Sequence, residues 1–171
     1  NNIFIIQHIC RFMDIFAHGL WSYAIFRIFK KDKYAMQAAL FGILPDLIAF
    51  GPFFIYYHFI LGNDFRTHLE NSSVFLAYSL THSLIIFLVT LIVIYIILKK
   101  VALPLLAWGL HIIIDIPTHT REFYPTPMLW PLSDYTINGI SWANKWFMII
   151  NYSLILLVYI FIFYRKKQMK D

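Results

Sequence analysis

Apolar residues fall into five blocks separated by short polar or proline-containing intervals. The first runs from about Ile15 to Phe29 and stops at Lys30-Lys31-Asp32-Lys33. It is short for a crossing of the ~30 Å hydrocarbon core, and Ile3 to Ile9 would lengthen it. The second, Ala35 to Leu61, is long enough to cross, but Pro45, Gly51 and Pro52 interrupt it and predict a broken or kinked helix. A polar stretch from Gly62 to Ser73 follows, with Asn71-Ser72-Ser73 as cap material. The third block, Val74 to Leu98, reads as one span ending at Lys99-Lys100. The fourth, Val101 to Pro117, lies near the lower length limit for a span. A loop with several prolines and aromatics, Thr118 to Asn144, leads to the fifth, Lys145 to Tyr164, and a basic tail.

This pattern predicts an all-α integral membrane protein with about five transmembrane helices. Composition agrees. The chain is 60% hydrophobic and only 13% charged, with mean hydropathy +0.67, whereas soluble domains average about 25% charged. At 171 residues there is room for one domain, residues 1–171. No segment reads as a cleavable signal peptide. Residues 1–12 either precede a start at Met13 or add apolar turns to the first block.

The net charge of +5 is not a nucleic-acid footprint, because the cations gather at the ends of apolar blocks. With five spans, the Lys30–Lys33 turn, the Lys99-Lys100 turn and the tail from Arg165 to Lys170 share one side. They hold nine of the fourteen Lys and Arg, leaving Arg11, Arg66, Arg121 and Lys145 for the other face and Arg27 within the first span. That bias predicts a multi-pass protein of a prokaryotic inner membrane with a cytoplasmic C-terminus.

Ionisable groups inside apolar blocks carry the candidate chemistry, since burying them in lipid is costly without a use. His111-Ile-Ile-Ile-Asp115-Ile-Pro117-Thr118-His119 places His111 and Asp115 four apart, on one helical face. His119 follows four further on, beyond a bend expected at Pro117. His18 lies near the outer start of the first block, Asp46 follows Pro45, and His82 sits within Thr81-His82-Ser83. Counted at ~1.5 Å per residue, His82 and His111 reach similar depths, so His18, Asp46, His82, His111 and Asp115 can meet in one pocket in the outer half of the membrane. The bland alternative is a set of buried hydrogen-bonded pairs. Five such residues sharing one leaflet favour a site.

Imidazole and carboxylate donors without thiolate suit a divalent metal, zinc first, with manganese or iron as alternatives and one or two ions possible. The single cysteine, Cys10, excludes a Cys-rich zinc site. Thr81, Ser83 and Thr118 are candidates to orient the imidazoles. His58 reads as an interfacial ring, and Trp130, Trp142 and Trp146 as interfacial anchors. His8 and His68 receive no role.

The set Ala17-His18, Leu44-Pro45-Asp46, Thr81-His82-Ser83, His111-x-x-x-Asp115-x-x-Thr118 and Leu129-Trp130-Pro131 resembles the YdjM-like family of inner-membrane metal-dependent hydrolases, distant relatives of zinc-dependent phospholipase C and the S1/P1 nucleases. The resemblance spans most of the chain. It departs at Leu47 and Ile48, where many members carry an acidic residue and a His, and at Ala77-Tyr78-Ser79, where many carry His-Arg-Gly. It implies one zinc on Asp46, His82, His111 and Asp115, with Asp115 bridging to a second ion on His18. The expected function is hydrolysis of a phosphoester such as a phospholipid head group, with Asp46, Asp115 and His119 as catalytic groups. Its partners would be membrane lipids. Alternatives are a non-catalytic metal-binding protein, an ion- or proton-coupled carrier, or a haem protein using His82 and His111.

Overall fold

The computed structural model describes residues 2–64, 68 and 71–168, with side chains from Ile15 onward within that set. Sequence readings that concern the side chains of His8, Cys10, Arg11, Arg66 and Lys170 lie outside the described residues. Six α-helices order the chain: α1 (Asn2–Ile28), α2 (Ala35–Phe54), α3 (Ser72–Thr81), α4 (Leu84–Leu98), α5 (Leu106–Thr118) and α6 (Lys145–Gln168). Among the described residues there is no strand, only an isolated bridge between Thr120 and Phe123.

The polar punctuation works as local chemistry requires. Lys30 and Lys99 take the left-handed conformation just past α1 and α4, with φ of 55° and 51°. The Asn71 side chain accepts from the Ser73 N–H and caps α3. Pro104 sits in the short 3₁₀ turn Leu103–Leu105 that leads into α5.

The expected break in the second block is displaced. Pro45 and Pro52 both lie inside a continuous α2, so Asp46 projects from regular helix. The irregularity comes later, as wide π-helical turns at Ile55–Ile60, where the Leu61 N–H reaches back five residues to the Tyr56 carbonyl. Conversely, the third block is not one straight span. It is α3 and α4, bent by 54° at His82-Ser83. The Ser83 hydroxyl accepts from the N–H groups of Ile85 and Ile86 and starts a new helix.

Among the described residues, two helical stretches are long and apolar enough to cross a membrane, Asp32–Ile60 and Lys145–Gln168, and the bent α3–α4 pair makes three if counted as one span. The 13 residues of α5 reach only about 20 Å at 1.5 Å per residue, so α5 does not cross the hydrocarbon core by itself. Against the five spans expected, the described residues thus give two or three of sufficient length and apolarity.

α2 lies at the centre, packed on α1, α3 and α5, while α6 packs on α1 and α4 on α5. Close approach of α1 and α2 depends on Gly42. A Cβ there would stand 2.3 Å from Ser22 Oγ and 2.9 Å from the His18 carbonyl. One core cluster joins Phe26, Ala35, Ala38 and Ala107 with Tyr34 and Leu103, so the α1–α2 turn and the start of α5 share one end of the molecule. Arg165 of α6 donates to the Ile28 carbonyl at 3.3 Å, which brings the end of α6 to that same end. The outward faces of α4 and α6 are apolar and exposed, including Ile92, Val93, Ile96, Ile97, Leu156 and Leu157. In water such a surface would aggregate; in lipid it is the required exterior.

Candidate metal centre

Five polar side chains from four parts of the fold converge in the interior. His18 comes from α1, Asp46 from α2, His82 from the α3–α4 bend, and His111 and Asp115 from α5. Four of them have 0% exposure and Asp46 has 6%. His111 and Asp115 share a face of α5 as their spacing requires, with Nε2 and Oδ2 3.2 Å apart. His82 reaches the same point because the helix breaks there. Its Nε2 lies 3.0 Å from His111 Nε2, 3.3 Å from Asp115 Oδ2 and 3.3 Å from Asp46 Oδ1. Asp46 Oδ1 is 3.8 Å from His111 Nε2, and His18 Nε2 is 2.9 Å from the second Asp115 oxygen, Oδ1.

The outer nitrogens of two rings settle their tautomers. His111 Nδ1 faces the Gly42 carbonyl at 2.7 Å, so it is the N–H donor. His82 Nδ1 faces the Tyr78 carbonyl at 3.1 Å and Thr81 Oγ1 at 2.9 Å. The Thr81 hydroxyl gives its own proton to the Ala77 carbonyl at 3.0 Å, so it accepts from His82. In the neutral rings each Nε2 then points a lone pair inward, at the other ring and at two carboxylates. Neither Asp115 oxygen completes a hydrogen bond, although both face imidazole nitrogens at 2.9–3.3 Å. Lone pairs do not converge on one another in the dry interior unless a cation or an added proton holds them.

The dimensions fit a metal. Four donors at ~2.0–2.1 Å from a tetrahedral ion are about 3.3–3.4 Å from one another. Five of the six donor separations among His82, His111, Asp46 and Asp115 run from 3.0 to 3.8 Å, while the two carboxylates fall in different trios. Two trios, His18–Asp46–His111 and His82–His111–Asp115, each bring their ligand atoms within 4.8 Å. Buried His and Asp groups here can hold a metal ion; the donor set does not fix which one.

Other sequence candidates fall elsewhere. His119 ends α5 in extended backbone and is not in either trio. The helix runs one residue past Pro117, to Thr118, before it stops. His119 Nδ1 contacts the Tyr78 hydroxyl at 2.8 Å, and that hydroxyl donates to the Tyr124 carbonyl at 2.9 Å. Of the three proposed orienting hydroxyls, only Thr81 meets an imidazole; Ser83 donates to the Trp130 carbonyl, and Thr118 to the Ile114 carbonyl. His58 is exposed and stacks on Phe54, and His68 stacks on Tyr57.

Three residues of the surroundings escaped the sequence reading. Tyr78 is fully buried, with its ring 3.9 Å from that of His82. Gly42 supplies the carbonyl for His111. Trp142, expected as an interfacial anchor, is 95% buried and meets His18 edge-on at 5.6 Å. Trp142 arrives there because the 118–144 loop folds back over the end of α5. Gly139 and Ile140 donate to the carbonyls of His119 and Pro117, at a contact too tight for any side chain on Gly139.

A model of the YdjM inner membrane protein family matches residues 13–169, which contain the whole cluster. The chain belongs to that family. Family membership and the apolar helices together make it a membrane-associated protein. No match was found among curated proteins or among solved structures.

Proposed function

We propose that the chain is a membrane-embedded, metal-dependent hydrolase of phosphoesters, with zinc as the first candidate ion and a phospholipid head group as the first candidate substrate. The observation that carries this reading is the convergence of His82, His111, Asp46 and Asp115 with lone pairs inward at the spacing of metal donors. His18, on the far oxygen of Asp115, would hold a second ion together with that carboxylate. When bound, the metal polarises a phosphoryl oxygen and lowers the pKa of water to about 7. His119, which contacts Tyr78, would exchange a proton with the leaving group. Distant kinship with zinc-dependent phospholipase C and the S1/P1 nucleases belongs to the same proposal.

The proposal includes five passes, formed by α1, α2, the α3–α4 pair, α5 with its loop, and α6. The site would then lie in the outer half of a prokaryotic inner membrane and the C-terminus in the cytoplasm. Support comes from the shared end of the molecule where the Lys30–Lys33 turn, the start of α5 and Arg165 meet.

A second reading has its own observation. Structural metal sites are closed, and four of the five groups here have no exposure. The test is to load purified protein with zinc or manganese and follow release of phosphorylated head group from mixed micelles. Hydrolysis that disappears in Asp115→Asn supports the enzyme. Metal bound at full stoichiometry with no turnover on a panel of phosphoesters leaves a non-catalytic metal centre.

A further inference from the structure

Between the C-terminal ends of α1 and α6 lies a small cleft open to the surface. Four cations line it (Arg27, Lys30, Arg165 and Lys166), together with Asp32, Ile28 and Ile162. Four positive charges less one carboxylate leave +3. The single carboxylate is already engaged, since Arg27 Nε lies 3.1 Å from Asp32 Oδ1. Arg27 also donates to the Tyr23 hydroxyl at 3.4 Å, and Arg165 to the Ile28 carbonyl at 3.3 Å. Arg27 is therefore held by its own helix and the turn after it, and Arg165 ties α6 to the end of α1. Lys30 turns away from the helix axis in left-handed backbone and completes the rim.

Cations packed this closely repel one another unless an anion joins them. The surroundings indicate what kind of anion. One turn into the bundle, Tyr23 and Tyr159 stack at 5.9 Å across the α1–α6 seam. Beside the cleft, Phe29, Ile160, Phe161 and Phe163 present exposed apolar surface. A cationic cleft opening directly onto lipid-facing side chains matches a phosphate that carries acyl chains better than a free anion. Basic pockets between membrane helices at the interface take anionic head groups for this reason.

We infer that the cleft formed by Arg27, Lys30, Arg165 and Lys166 is a binding site for the head group of an anionic phospholipid. The site stands apart from the metal centre and does not rest on its reading. It seats the α1 and α6 ends on the same lipid molecule and so fixes the seam that carries His18.

The test uses the full chain in neutral detergent micelles and follows its melting temperature during titration with dihexanoyl-phosphatidylglycerol. Parallel arms use dihexanoyl-phosphatidylcholine and inorganic phosphate. The variant is K30Q/K166Q, which leaves the Arg165 contact between the helices and the Arg27–Asp32 pair intact, with Asp115→Asn as a control for binding at the metal centre. The expected result is saturable stabilisation by the phosphatidylglycerol alone, with apparent affinity weakened roughly 30-fold in K30Q/K166Q, two charges at ~1 kcal/mol each, and unchanged in Asp115→Asn. Equal stabilisation by phosphatidylcholine or by inorganic phosphate overturns the assignment. So does a phosphatidylglycerol response that survives K30Q/K166Q, or one that disappears in Asp115→Asn.

Discussion

Replacing Asp115 by Asn exchanges one oxygen for an amino group and removes one buried negative charge. Around that side chain stand His111 Nε2 at 3.2 Å, His82 Nε2 at 3.3 Å and His18 Nε2 at 2.9 Å, all with 0% exposure. The amide keeps one acceptor but cannot bridge, and it leaves a divalent ion with half of its carboxylate charge compensation. Breaking a buried charge interaction on one side costs about 3–5 kcal/mol, so metal affinity should fall about 10²- to 10³-fold or more. A ligand present at about 100 times its Kd stabilises the folded state by about 2.7 kcal/mol, and the variant forfeits that. For a chain of this length the loss corresponds to roughly 5–10 °C in melting temperature. The assay pairs chelator competition with thermal melts, run on wild type, Asp115→Asn, His119→Ala and His58→Ala, with and without metal. The difference between wild type and Asp115→Asn should be large with metal and small after chelation. His58→Ala should match wild type, because that ring is exposed against Phe54. Should Asp115→Asn hold full metal and melt with wild type, Asp115 is no ligand and the bridged two-ion arrangement is wrong.

Other consequences follow from the same geometry. Gly42→Ala drives a methyl group to within 2.3 Å of Ser22 Oγ and should destabilise by about 1–3 kcal/mol, read as a lower melting temperature with weakened metal binding, because the Gly42 carbonyl also orients His111. Ser83→Ala removes the α4 cap at a cost of about 1 kcal/mol; melting should drop while metal content stays at the wild-type level. Metal binding requires neutral imidazole, so affinity should fall on acidification, and binding to protonated rings should release protons in calorimetry. A reporter fused after the C-terminal residue should behave as cytoplasmic; export of that reporter would reverse the orientation argued from the basic ends.

Much of the site is legible in the sequence because lipid makes polar residues conspicuous. His18, Asp46, His82, His111 and Asp115 stand out inside apolar blocks, and the structure joins all five in one chain of contacts. The i, i+4 pair on α5 is a direct consequence of helical periodicity. What the pattern hides is set by competition between local and tertiary forces. An apolar run from Val74 to Leu98 looks uninterrupted, since Ser and Thr are tolerated in membrane helices; only the Ser83 side chain, turned back onto Ile85 and Ile86, reveals a helix start. Pro45 looks like a break, yet α2 absorbs it and widens ten residues later. Trp142 resembles a belt residue because its burial depends on a loop whose path no periodicity encodes. Tyr78 looks like an ordinary apolar-face aromatic until its hydroxyl is seen between His119 and the Tyr124 carbonyl.

The central claim is that inward lone pairs on His82, His111, Asp46 and Asp115 surround a metal ion. Elemental analysis of full-length protein, purified in detergent without chelator and without an affinity metal column, tests it most directly. The account gives one or two divalent first-row ions per chain, with zinc foremost, bound through nitrogen and oxygen at ~2.0–2.2 Å in X-ray absorption. Less than about a tenth of an ion per chain, unchanged after incubation with zinc, manganese or iron, would mean that protons and not a metal hold the cluster together.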